Sequence, residues 1–447
     1  MKKLAIVGSG IAGLGCLYFL HRHYEITLFE QNDYVGGHTN TIEVEEAGQK
    51  LPVDTGFMVF NHQTYPNLKR LFDTLQVPTQ KTDMSFSVRH DAIGLEWNGA
   101  GYDKLFGQRR NLWNLRFWKM LMQMSRFTQE ALANLENPRL ESMTVADYVR
   151  ERDYGPDFLS LFLVPMASAI WSTPPDKMLQ FPARTLLRFF YNHGFLGMDT
   201  HHQWYTVTGG SREYVKRILA MAQPNLRLNQ PVRRIHRLPE GGVALTIETA
   251  SGALESERFD TVIVAAHADQ ALRLLDEPTP SEAALLGAFQ YQDNLALVHS
   301  DPSVLPKTRR CWASWNYQIF AGHDHQGAMT RSTDPLVAAS AFSASTHYWM
   351  NNLQGVSQTT PYIVTLNGEH LIDERKIHRR ILYAHPLFTR EAIAAQADLP
   401  ALNTDPANGG VYFCGSYFRY GFHEDAFSSA VDLCQHLLPE GLPWHQP

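Results

Sequence analysis

The stretch that most limits what this chain can fold into is its opening, where the apolar run Leu4-Ala5-Ile6-Val7 passes directly into Gly8-Ser9-Gly10-Ile11-Ala12-Gly13. The pattern predicts a strand, a tight turn and a helix from Ile11 to His23, then a second strand from Glu25 to Glu30. Each glycine has a separate task. Gly8 permits the turn, Gly10 lets the backbone approach a pyrophosphate, and Gly13 lets the helix sit close on the strand. The N–H groups of Ile11 and Ala12 then open the helix toward the phosphates. Glu30 follows about twenty residues after the turn, where a carboxylate suits the hydroxyls of a ribose. Strand, turn, helix, strand and carboxylate in that order predict a dinucleotide site.

The whole chain bounds what surrounds this site. Its 447 residues leave room for two domains or one elaborated domain. A net charge of -6 and 19% charged residues give no basic field for nucleic acid. Cysteines 16, 311, 414 and 434 form no C-x-x-C pair, so no zinc ribbon or iron–sulfur cluster is expected, and the compartment reads as reducing. The 20 histidines are scattered and His201-His202 lacks one-face helical spacing, so no metal is predicted. No segment approaches the roughly 20 apolar residues of a membrane span, and the run after Met1-Lys2-Lys3 breaks at the glycine turn. The expectation is a cytoplasmic protein, with a location peripheral to the inner membrane as the alternative.

Along the chain, Tyr65 to Leu75 reads as a helix and Met84 to Trp97 as a hairpin turning at Asp91-Ala92-Ile93-Gly94. The strongest helical pattern runs from Leu112 to Leu135, with Trp113, Phe117, Met120, Met124 and Phe127 on one face. Arg116, Lys119, Gln123 and Arg126 lie opposite, so residues 108–128 either cover a core or make a peripheral membrane contact. The block from Phe158 to Trp171 is apolar nearly all round, as a buried helix or the wall of a greasy cavity would be. Thr206 to Ser211 returns to a strand and a glycine pair, and Phe259 to Ala266 reads as a strand buried on both faces. Phe289 to His299, Cys311 to Phe320 and Pro361 to Asn367 read as strands of a second sheet. A last strand and glycine, Gly410 to Ser416, precede a helix from Ser428 to Leu438.

The opening motif, the pair Gly36-Gly37, the pair Gly209-Gly210, the strand Asp260 to Ala266 and the segment from Gly410 together resemble the flavin-containing amine oxidase superfamily. More narrowly, Gly36-Gly37-His38-Thr39-Asn40-Thr41, Asp54 to Asn61, Tyr383-Ala384-His385-Pro386 and Gly421-Phe422-His423-Glu424-Asp425 are similar to a bacterial branch of predicted NAD/FAD-binding oxidoreductases. The resemblance runs from Lys3 to Leu438. It implies an α/β fold: a Rossmann-like FAD-binding domain of the glutathione-reductase type with an inserted α+β substrate domain. The implied FAD-binding domain comprises 1–75, 205–277 and 400–440, and the substrate domain 76–204 with 278–399. The cofactor residues implied are Gly8, Gly10, Ile11, Ala12, Gly13, Glu30, Gly36, Gly37 and His38, with Thr55, Gly56 and Phe57 beside the pyrophosphate and ring. Val232 would set its backbone against the adenine, and Gly415, Ser416, Glu424, Asp425 and Ala426 would hold the ribityl and pyrimidine end.

The chain departs from the superfamily pattern. His38 stands where many members carry an arginine, and Ser416 replaces an acid that often follows the C-terminal glycine. Phe422 takes the place of one tyrosine of the monoamine oxidase aromatic cage, and the sequence offers no evident carboxylate for an ammonium group. Cys414 precedes Gly415 and does not occupy the flavinylation position, so the resemblance implies non-covalent FAD. The expected enzyme is an FAD-dependent oxidoreductase removing hydride from an apolar, fatty-acyl or other lipid-like substrate. An amine or amino acid oxidase producing hydrogen peroxide is the alternative. Catalytic candidates are Phe422, Tyr420, His385 and His423, and pocket candidates are Phe57, Trp171, Tyr317, Tyr348 and Trp349. No second glycine fingerprint exists, so electrons should leave to oxygen, a quinone or a protein.

Overall fold

A computed structural model describes residues 1–197, 202–321, 336, 342–438, 440–442 and 444; His201 lies outside them. At its centre five parallel strands lie side by side in the order Asn225–Arg227, Tyr24–Phe29, Lys2–Val7, Thr261–Val264 and Val411–Phe413. Leu4, Ala5, Ile6, Val262, Ile263 and Val264 are completely buried, as strands covered on both faces must be. The helices Ile11–Leu20 and His423–Leu437 pack on one another beside this sheet. On another side Val232, Ile235, Val243, Leu245 and Phe259, from three antiparallel strands, share a core with Ala5, Val7 and Phe29.

A second sheet has seven strands, in the order Ile377–Leu387, Gln290–His299, Ile363–Leu366, Phe342–Trp349, Trp315–Ala321, Phe86–His90 and Leu95–Asn98. The fold is the mixed α/β arrangement expected, with the hairpin at Asp91 to Gly94 in place. Several strands escape sequence reading, the short Thr79–Thr82 among them. Ile377–Leu387 lies at the sheet edge and carries His378-Arg379-Arg380 and Pro386, which mask its alternation. Leu254–Phe259 is a mostly exposed, charged strand, and of Phe342–Trp349 the sequence marks only Tyr348 and Trp349, as pocket candidates.

Two helices differ from expectation. The C-terminal helix begins at His423, because the Asp425 carboxylate accepts the Phe422 N–H at 2.9 Å and caps it early. The amphipathic helix spans Leu115–Asn134 and starts at Asn114, whose side chain accepts the Arg116 and Phe117 N–H groups. Leu112 and Trp113 therefore fall in a preceding 3-10 turn, and Trp113 is 87% exposed, not on the core face. Phe117, Met120 and Phe127 are buried as predicted. The apolar block forms a helix from Pro156 to Trp171 with one wide turn at Leu159–Leu163. That turn absorbs Pro165, which has no N–H to donate. Among the described residues no helix is long and apolar enough to cross a membrane.

Candidate functional site

At the carboxyl ends of the parallel strands lies a cavity of about 970 Å³, closed on its other side by the seven-stranded sheet and the helix ending at Trp171. Open parallel sheets bind ligands at this end. The expected cofactor residues line it except Gly13, Gly36, Glu424 and Asp425, and all four catalytic candidates line it.

The glycine turn shows why those residues are small. Gly8 has φ +103°, and a Cβ on it would come 2.6 Å from the Ala265 carbonyl oxygen. A Cβ on Gly13 would come 2.0 Å from the Gly8 oxygen, so Gly13 serves packing beneath the cavity and not its wall. Gly10 differs: a Cβ built there meets nothing within 4 Å. The helix Ile11–Leu20 that follows has no side-chain cap and no acid in its first turn, which leaves its positive end open. The second glycine loop is tied to this turn, since the Gly36 N–H donates to Ser9 Oγ at 3.2 Å.

Glu30 is buried and holds four donors: Ser9 N–H at 3.1 Å and Ser9 Oγ at 2.6 Å on one oxygen, Asn32 N–H at 2.9 Å and Asn32 Nδ2 at 2.8 Å on the other. A ribose diol arriving here competes with Ser9 Oγ or the Asn32 amide. Sequence reading does not find these two partners, because Ser9 fills a variable position of the glycine pattern and Asn32 lies outside it.

Beyond Gly37, the His38 ring stacks on Tyr383 with centroids 4.7 Å apart and lies 5.2 Å from the His385 ring. Its Nε2 is buried with no hydrogen-bond partner among the described residues. Burial holds the His38 imidazole well below the usual histidine range, and His385 and His267 push it further the same way. His385 is anchored by a chain whose polarity is fixed from the backbone. The Leu295 N–H donates to Asn367 Oδ1 at 2.9 Å, Asn367 Nδ2 to Asn294 Oδ1 at 2.6 Å, and Asn294 Nδ2 to His385 Nδ1 at 2.8 Å. Neutral His385 must then carry its proton on Nε2. Burial pushes its pKa down to about 4.

His423 is held differently. Its Nε2 lies 2.8 Å from Tyr214 Oη and 3.1 Å from Thr39 Oγ1, and its ring stacks on Phe57 at 3.9 Å. Burial pushes its pKa down to about 3, so it is a poor proton acceptor near neutrality. Glu424 turns away from the cavity and accepts the Asn67 and Leu68 N–H groups at 3.0 and 2.9 Å, at the start of the helix Pro66–Thr74. With Asp425 capping its own helix, both carboxylates hold walls.

The far end of the cavity is aromatic. Phe422 stacks on Phe189 at 4.9 Å, Trp171 packs on Phe189 at 4.6 Å, and the Trp171 indole donates to the Tyr420 carbonyl at 3.3 Å. Tyr348 also lines this cavity, whereas Tyr317 lines a neighbouring one of about 410 Å³. Trp349 packs instead on Trp312, with Arg309 over both rings. Asp293, exposed, is on the wall as well; no motif marks it in the sequence. Among the described residues no group of three His, Cys, Asp or Glu is placed to hold a metal ion.

Known proteins resemble this chain over part or nearly all of its length. A carotenoid phi-ring synthase of Chlorobaculum tepidum is 36% identical over 72 residues, which are 16% of this chain and 11% of that protein. A 1-hydroxycarotenoid 3,4-desaturase of a Flavobacterium species is 35% identical over 88 residues, 18% of this chain and 17% of the relative. The chain thus matches less than a fifth of the length of either curated relative. Among solved structures, cyclohexylamine oxidase from Brevibacterium oxydans superposes with a TM-score of 0.65 at 17% identity, over 98% of this chain and 99% of that one. The family described as flavin containing amine oxidoreductase matches residues 11–438. The chain therefore belongs to the flavin-containing amine oxidoreductase family.

Proposed function

We propose that this FAD-dependent oxidoreductase holds its flavin non-covalently at the glycine-turn end of the cavity and takes an apolar, lipid-like substrate, fatty-acyl compounds included, at the aromatic end. The residues fit the cofactor: the helix at Ile11 is uncapped, a Cβ at Gly10 would fill open space, and the buried Nε2 of His38 lacks a partner among the described residues. In this reading 1–75, 205–277 and 400–440 carry the cofactor, and 76–204 with 278–399 carry the substrate. None of Cys16, Cys311, Cys414 and Cys434 lines the cavity, which supports non-covalent binding. All four are buried, unpaired thiols, as a cytoplasmic protein would keep them.

When bound, flavin supplies hydride acceptance; the protein supplies position and a dry wall. The N–H groups after Gly10 would hold the diphosphate, Glu30 the ribose, and the Val232 backbone the adenine. Thr55, Gly56, Phe57, Gly415, Ser416 and Ala426 would border the rest. His385 offers an N–H and not a base, since its pKa near 4 leaves it neutral and weakly basic. Oxygen, a quinone or a protein would serve as the electron acceptor.

The observation that carries the substrate class is the wall of Ile170, Trp171, Phe189, Phe195, Phe388 and Phe422. Such a surface favours a ligand that gains by leaving water. The similarity to two carotenoid enzymes points the same way, through short stretches only. Anaerobic mixing with fatty-acyl and polyene lipids should bleach the flavin absorbance, while simple amines should not. Amine turnover with peroxide release, and no bleaching by lipids, would reverse the assignment. Asp293 favours that second reading, because it gives an ammonium group a carboxylate at the cavity wall. If amines are the substrate, Asp293→Asn should abolish their turnover; if lipids are, Asp293→Asn should leave lipid oxidation intact.

A further inference from the structure

We propose that the surface formed by residues 102–122 docks on an anionic lipid bilayer. Fourteen large apolar residues are exposed in the described chain, and six of them, Tyr102, Leu112, Trp113, Leu115, Trp118 and Met122, fall in this one stretch. Single exposed apolar side chains are ordinary; a local concentration marks an interaction site. Leu115, Trp118 and Met122 recur at intervals of three and four, so they share one face of the helix, opposite buried Phe117, Met120 and Phe127. Leu115 is 83% and Met122 64% exposed, and Trp113 stands clear just before the helix start.

The charges of the stretch select the partner. It carries Lys104, Arg109, Arg110, Arg116 and Lys119 against one acid, Asp103, in a chain of net charge -6. Arg109 pairs with Asp103, Arg116 with Asp157, and Lys104 lies 4.0 Å from Asp83. Arg110 bonds only the neutral Gly94 carbonyl, and Lys119 has no carboxylate partner among the described residues. Tryptophan, leucine and methionine flanked by uncompensated cations are what an interface with acidic headgroups accommodates. A second copy of the chain fits worse, because a two-fold contact on this face would set Arg110 and Lys119 against their own mates. The buried side of the same helix belongs to one core with Trp171 and Phe189, so the surface and the aromatic end of the cavity are built on common packing. The docking does not depend on which substrate the cavity takes.

The test is sedimentation of the flavin-loaded protein with phosphatidylcholine vesicles, with or without half phosphatidylglycerol. Wild type should sediment with the acidic vesicles, and added salt should weaken it. The triple variant Trp113→Ser, Leu115→Ser, Met122→Ser should bind at least tenfold less, with flavin spectrum and melting temperature unchanged. Arg110→Gln with Lys119→Gln should lose the preference for acidic over neutral vesicles. Wild-type protein that sediments with neither vesicle, or a triple variant that binds like wild type, refutes the docking. A wild-type dimer that the triple variant splits, without vesicle binding, assigns the face to a second copy and also refutes it. Substrate bleaching measured without vesicles keeps this outcome separate from the substrate assignment.

Discussion

Replacing Gly10 with alanine separates the fold from the cofactor site. Gly10 has φ −65° and ψ 177°, which any L-residue adopts, and a Cβ there meets nothing within 4 Å. Alanine restricts the unfolded chain, favouring the fold by about 0.4–1 kcal/mol. Alanine is also a poorer helix N-cap than glycine, at a cost of about 0.5–1 kcal/mol. These nearly cancel, so the apoprotein of Gly10→Ala should unfold within about 1 kcal/mol of wild type. Gly13→Ala is the contrast, because its methyl would lie 2.0 Å from the Gly8 oxygen and 3.3 Å from Ala265 Cβ, at an overpacking cost of about 1–3 kcal/mol or more. In Gly10→Ala the methyl blocks the approach to the N–H groups behind it. Losing one charge-assisted bond, about 1.5–3 kcal/mol, weakens FAD binding about ten- to a hundredfold. At an FAD concentration about 100 times the wild-type Kd, the wild type gains about 2.7 kcal/mol, and the variant should gain only about 0.4–1.4 kcal/mol. Thermal unfolding with and without FAD, beside a fluorescence titration, reads both quantities. A variant with wild-type FAD affinity would show that no part of the cofactor approaches Gly10. A variant whose apoprotein is strongly destabilised would show that the space is not open.

Burial pushes the Asp425 pKa up to about 7 from an unfolded 3.8, so its contribution is fully present below pH 3.8 and is lost as pH rises toward 7. Asp425→Asn keeps an acceptor for the Phe422 N–H, and its stability relative to wild type should rise across that window by at most about 4 kcal/mol; a constant difference across melting curves at pH 4 to 7.5 would exclude the effect. The helix N-terminus favours the carboxylate, which makes that figure a ceiling. Asn294→Asp can only accept from His385 Nδ1, so the imidazole pKa should climb from about 4 by about 1–3 units, read by histidine nitrogen NMR; an unchanged titration would break the inferred tautomer chain. Glu30→Gln turns an amide toward the donors of Ser9 or Asn32 and should cost the apoprotein about 1–3 kcal/mol, measured in urea, besides weakening FAD binding.

What the sequence made legible was local. The glycine turn, the strands on either side of it and the hairpin at Asp91 to Gly94 follow from short-range pattern, because buried runs and turn residues are written side by side. The edge strand Ile377–Leu387 was hidden because half of it faces water and its side chains answer to solvent. Helical spacing puts Trp113 on the apolar face with Phe117 and Met120 only when it is carried past the Asn114 cap, where the helix has not begun. His385 and His423 could be marked as candidates, but their proton states depend on Asn294, Asn367, Thr39 and Tyr214, none of them sequence neighbours. Glu424 and Asp425 sat in a motif resembling a cofactor site, yet their carboxylates are spent on helix starts.

The parallel sheet closes only when Val411–Phe413 lies against Thr261–Val264, which in turn lies against Lys2–Val7. The glycine turn therefore finds its full surroundings only when a strand far along the sequence arrives. Contacts of such long range make folding slow and leave apolar strands waiting unpaired. A cofactor that bridges Gly8 and Gly415 would clasp together two segments that lie far apart in sequence. The lifetime of the bound flavin should then report how often the last strand and its helix peel away, and flavin loss should precede aggregation on heating.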